Sequence, residues 1–86
     1  MSSEKLVSKY VASTEHALKK METVENSINV EAEDIGKVVE YVKAYLKDAK
    51  YYRDKKKFEV SLASVAYCEG LLEALKLLGA IKVTFE

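Results

Sequence analysis

The sequence predicts an all-α fold, an up-down-up three-helix bundle with a short extended C-terminal tail. Three observations carry that prediction. Proline is absent and glycine occurs three times in 86 residues, which leaves long helices uninterrupted and starves a β fold of its turns. Apolar residues recur at three- and four-residue steps through three segments. The longest apolar-rich run, Phe58 to Gly79, is charged only at Glu59, Glu69, Glu73 and Lys76. At about 100° per residue the last three fall on one line, and a helix apolar around most of its girth must be covered on more than one side.

Helix 1 is expected from about Ser3 to Ser27. Val7, Tyr10, Val11, Thr14, Leu18, Met21, Val24 and Ile28 form its apolar stripe. Ser2 or Ser3 offers an N-cap oxygen, and Glu4 suits the positive end of the dipole. Asn26, Ser27 and Asn29 break the pattern as turn and cap formers.

Helix 2 is expected at about 31–53, with Glu31, Glu33 and Asp34 in its first turn. Its stripe of Ile35, Val38, Val39, Val42, Tyr45, Leu46, Ala49 and Tyr52 is the cleanest 3.6-residue pattern in the chain. A short basic turn leads to helix 3 at about 58–78. The expected inner face there is Val60, Ala63, Ser64, Tyr67, Leu71, Ala74 and Leu78. Gly70 is expected in close helix–helix contact, and Gly79 is placed to end the helix in the left-handed conformation. The tail, 80–86, alternates Ile81, Val83 and Phe85 with Lys82, Thr84 and Glu86, so its apolar side is expected to fold back over the bundle or meet a second chain. Helices of this length joined by short turns run antiparallel, and residues 1–86 make one domain.

The totals narrow the function. Fourteen basic and fourteen acidic residues cancel, so no global field steers the chain to nucleic acid or an anionic membrane. One cysteine forms neither an intrachain disulfide nor a zinc site, and the first residues carry charges where a signal peptide needs an apolar stretch. Charges within Phe58–Leu78 make a bilayer span expensive. A cytoplasmic protein without membrane association is expected. The Lys- and Glu-dominated charges, with no glutamine, resemble the mixture of heat-adapted proteins.

No catalytic residue, metal site or cofactor is expected. His16, the single histidine, projects away from the helix 1 stripe, and no Glu-x-x-His pattern surrounds it. Cys68 has no base in reach and reads as filler on the flank of helix 3. Glu69 and Glu73 could hold a metal with a third ligand, but Lys76 one turn on makes them a solvated stripe. Phosphate-binding glycine loops and nucleophile elbows do not occur.

Two surfaces remain. A second apolar line on helix 3, Phe58, Leu62, Val65 and Leu72, exceeds what its neighbours cover and is the expected interaction surface, for a protein partner or a homodimer. A basic patch, Lys47, Lys50, Arg53, Lys55, Lys56 and Lys57, interleaves with Tyr51, Tyr52 and Phe58 and could hold a nucleic-acid strand. Complementarity to the helix dipole accounts for most of this patch, so nucleic acid is the alternative partner. The first reading is a non-catalytic protein-binding or scaffolding module.

The second half resembles a known family. YLKDAKYY, a short turn, then SLASVAYCEGLLEALKLLG is similar to the small archaeal family catalogued as domain of unknown function 357. Tyr45, Asp48, Ala49, Tyr52, Tyr67, Gly70, Leu72, Glu73, Ala74, Leu78 and Gly79 match its pattern. The resemblance covers about forty residues and implies an archaeal source and a compact helical bundle, with no assigned activity. The turn departs from it: a glycine and an acid are expected where Lys56 and Lys57 stand.

Overall fold

The computed structural model describes residues 3–24 and 27–84. Ser2, Asn26, Phe85 and Glu86, named above, lie outside them. Three helices make up the regular structure: α1 (Ser3–Lys20), α2 (Ala32–Asp54) and α3 (Phe58–Leu77). The all-α, three-helix architecture is the one expected, and no strand occurs among the described residues.

The packed heart of the molecule is the α2–α3 hairpin. Its core is Val42 and Ala49 from α2 against Cys68 and Leu75 from α3, with the Ser61 hydroxyl buried among them. Two hydrogen bonds set the register. Ser61 Oγ donates to the carbonyl of Ala49 at 2.7 Å, and Cys68 Sγ donates to that of Val42 at 3.4 Å. The pairs 49/61 and 42/68 run in opposite senses along the two helices, so the helices are antiparallel and level at these positions.

The α2 stripe holds except at Tyr45 and Leu46, which are exposed. Ile35, Val38, Val39 and Tyr52 are half-buried around Val42 and Ala49, with Tyr45 and Leu46 at the margins. On α3 the buried direction is turned by roughly 80–100° from the expected one. Ser61, Cys68 and Leu75 are buried and Ser64, Val65, Leu71 and Leu72 half-buried, whereas Val60, Ala63, Tyr67, Ala74 and Leu78 are exposed. The reason is the girth of α3: with apolar residues on most sides, small Ser61 and Cys68 allow the closest approach, and α2 takes that side.

α1 is shorter than expected, ending at Lys20 where the Met21 amide closes the last turn on Ala17. Thr23 and Val24 are β-branched, and Ser27 and Asn29 favour turns, so the apolar recurrence there belongs to an irregular connection. α1 packs closely on neither other helix. Leu6, Val7, Tyr10, Val11, Thr14 and Glu15 of α1 and Ala63 of α3 line one open groove. In the tail, Ile81 and Val83 are half-buried while Lys82 and Thr84 are exposed, which matches the expected alternation. Gly70 faces open space, with no neighbouring atom within 4 Å of where a side chain would begin; the close helix–helix contact expected there does not exist.

Both hairpin helices end in the same way. After α3, Gly79 adopts φ +76° while its amide donates to Lys76 O and that of Ala80 to Leu75 O. After α2, Lys56 adopts φ +59°, its amide donating to Arg53 O and that of Lys57 to Tyr52 O. These are paired Schellman closures, in which a left-handed residue lets two amides cap the last carbonyls. Lys56 thus occupies the backbone position for which a glycine was expected.

Candidate protein-interaction surface

The hairpin is a two-helix layer with two faces. On one, the rings of Tyr45 of α2 and Tyr67 of α3 meet at a tilt of 49° with centroids 4.6 Å apart, and Ala63 at the α3 edge of that side shares a groove with α1. On the other, Leu46, Ala49, Lys50, Arg53, Ser61 and Val65 line a shallow cleft between the helices. The expected line of Phe58, Leu62, Val65 and Leu72 belongs to this second face, and the structure divides it. Phe58 and Leu62 stand out, 63% and 69% exposed, while Val65 and Leu72 are half-buried against α2. Leu46, at 41% exposure, joins the face from α2. Sequence reading missed it by assigning the whole α2 stripe to the core, although Leu46 projects about 40° to one side of Val42.

The molecule as a whole leaves a large surface uncovered. It exposes 7841 Å², against about 5,100 Å² for a compact monomer of its mass. Its radius of gyration is 15.6 Å, against about 12 Å for a compact chain of this length. Leu6, Val7, Tyr10, Val11 and Leu18 of α1 all contribute, as do Met21, Val24, Ile28 and Val30 of the connection.

Every member of the basic patch, Lys47, Lys50, Arg53, Lys55, Lys56 and Lys57, is exposed. Arg53 Nε lies 3.3 Å from Asp54 Oδ1, and Lys55 Nζ sits 5.6 Å from the centre of the Tyr51 ring. Tyr52 is half-buried, so Tyr51 and Phe58 are the aromatics this patch presents. Lys57 is also the N-cap of α3, with no side-chain capping bond. Cations there oppose the dipole of α3 even as they suit that of α2.

His16 is exposed, as read. Cys68 is a free thiol at the centre of the hairpin. Burial raises its pKa above the ordinary value, partly offset by a backbone hydrogen bond and reinforced by Glu69. A thiol held neutral is a poor nucleophile. Glu69 and Lys76 are exposed and Glu73 half-buried, and no group of three potential ligands suited to a metal ion occurs among the described residues. None of the described helices is long and apolar enough to cross a membrane.

The chain matches no curated protein and no solved structure. The family described as "Protein of unknown function (DUF357)" matches residues 9–81, a span that takes in most of α1 as well as the hairpin that carries the resemblance. On a match of that extent, the chain belongs to the DUF357 family.

Proposed function

We propose that this protein is a non-catalytic protein-binding or scaffolding module that acts through the surface of α3. One observation carries the reading: about 2,700 Å² more surface is exposed than a compact monomer of this mass presents. Much of it is apolar, on α1 and on the sides of α3 turned from α2. Apolar patches of this extent mark binding surfaces. The cytoplasm suits such a module, since its one thiol is unpaired and buried. The test is affinity capture from the native host's lysate with the parent chain and with Leu62→Glu as parallel baits. A discrete protein held by the parent and lost by the variant is the expected result; identical captures on both baits would remove the reading.

A second reading, nucleic-acid association at the basic turn, draws on Lys55, Lys56 and Lys57. They suit the C-terminal dipole of α2 but oppose the N-terminal one of α3, so dipole complementarity accounts for only part of the cluster. Affinity for single-stranded RNA or DNA that falls steeply as salt rises would support it, and no binding at about 50 mM salt would end it.

A further inference from the structure

We propose that Tyr51 is a base-stacking platform for single-stranded nucleic acid, with Lys47 and Lys55 on either side of it as phosphate contacts. The proposal rests on the nucleic-acid reading above and names the kind of strand and the residues that hold it. Lys47, Tyr51 and Lys55 follow one another at four-residue steps, so each lies about 6 Å further along the α2 axis and about 40° around it. Lys55 stands just past the helix but keeps this register, because its amide still donates to the Tyr51 carbonyl at 3.1 Å. All three side chains are exposed, Tyr51 by 57%.

The Tyr51 ring is braced. Tyr52, half-buried beside it, meets it edge to face with centroids 5.3 Å apart. Lys55 Nζ sits 5.6 Å from its centre, so a cation already stands where a phosphate next to a stacked base needs one.

The surrounding charges leave this line basic. Lys50 and Arg53 neighbour it on α2, and Lys56 and Lys57 follow in the turn. Asp48 and Asp54 are the acids of the stretch, and Asp54 is paired with Arg53 at 3.3 Å. From 47 to 57, six cations therefore face two acids in a chain whose charges otherwise cancel. Glu40, paired with Lys43 at 3.3 Å, bounds the line at one end, and Glu59 follows the turn at the other.

A cation, an exposed ring and a second cation in succession select the ligand. An anionic lipid surface or a phosphorylated peptide supplies charge without a flat ring to stack. A duplex keeps its bases stacked on one another and offers this surface its phosphates alone. A single strand supplies both, a base for Tyr51 and the phosphates on either side of it for Lys47 and Lys55.

The test is binding of a labelled oligothymidylate of about twelve nucleotides, titrated between about 50 and 200 mM salt. Tyr51→Ala should weaken binding by about 5- to 150-fold, the loss of one stacked base, and leave the slope of log affinity against log salt unchanged. Tyr51→Phe keeps the ring and should bind within about twofold of the parent. Lys47→Gln and Lys55→Gln should each make the salt slope shallower by about 0.7, the loss of one phosphate contact. Affinity indifferent to Tyr51→Ala, a Tyr51→Phe loss as large as that of alanine, or unchanged slopes in the lysine variants overturns the proposal while the basic-turn reading stands. A parent that does not bind at about 50 mM salt ends both.

Discussion

The Ser61 hydroxyl donates to the main-chain carbonyl of Ala49 at 2.7 Å, a buried bond that ties α3 to α2. Ala49 lies inside α2, so its carbonyl also accepts the amide one turn on. Removing the hydroxyl therefore leaves no orphaned acceptor and costs the bond alone. Ser61→Ala is expected to lower stability in urea melts by about 0.5–1.5 kcal/mol. A loss nearer 3 kcal/mol would mean that the carbonyl depends on Ser61.

Cys68 supplies the second bond of this register, and it makes stability depend on pH in a definable direction. Burial raises its folded-state pKa, so between the ordinary thiol value and the raised one the native state holds a proton that the unfolded state has lost. Stability from this group is fully present below the ordinary thiol value and is lost as pH climbs through the folded one. Cys68→Ala, though weaker at neutral pH for lack of packing, should show a shallower decline on the alkaline side. Parallel slopes for parent and variant in melts across that range would contradict this.

Lys56 holds a left-handed backbone, φ +59°, at the end of α2. For a side-chain-bearing residue that conformation costs about 1–2 kcal/mol, and glycine avoids most of it. Lys56→Gly should stabilise the hairpin by roughly 0.5–1 kcal/mol after the entropy that glycine adds to the unfolded chain. An unchanged or lower denaturation midpoint would show that the lysine side chain makes good its own strain.

Gly70 is the contrasting case. It lies within α3 with open space around it, so a methyl group meets nothing and the helix gains propensity. Gly70→Ala should raise stability by up to about 1 kcal/mol. Destabilisation in the same melts would reveal a contact made in another molecule.

How much was legible depended on contrast between faces. Most of the α2 stripe is legible because lysines and acids flank it, Tyr45 and Leu46 at its margins being the exposed exceptions. α3 offers no such contrast, and its closest contacts are made by Ser61 and Cys68, which a count of large apolar residues passes over. The expected inner face accordingly falls mostly on exposed residues, with Ser64 and Leu71 half-buried at its margin, and the interaction line is divided between core and surface. The end of α1 was misread for a related reason: Met21, Val24 and Ile28 keep the helical spacing through a segment whose β-branched and turn-forming residues do not keep the helix. Gly79 was readable because a glycine after the last periodic residue has one common use, and Lys56 was not, because nothing in a lysine announces a left-handed position.

α1 gives the last prediction. Its 18 residues are near the length at which an isolated helix is marginal in water, since nucleation is costly and each further residue adds little. Tertiary cover normally supplies the difference, and α1 has almost none: Val7, Tyr10, Val11 and Leu18 are each half or more exposed. α2 and α3 share the buried core, so opening them requires breaking it. Hydrogen exchange on the full chain should therefore separate the helices. Amides around Val42, Ala49, Cys68 and Leu75 should exchange slowest, and those of α1 at rates within about tenfold of an unstructured peptide, as local opening near zero free energy requires. Strong protection in α1 that persists when the chain is diluted to a monomer would mean that it closes on its own hairpin in solution. Protection that vanishes on dilution would place its cover in a second molecule.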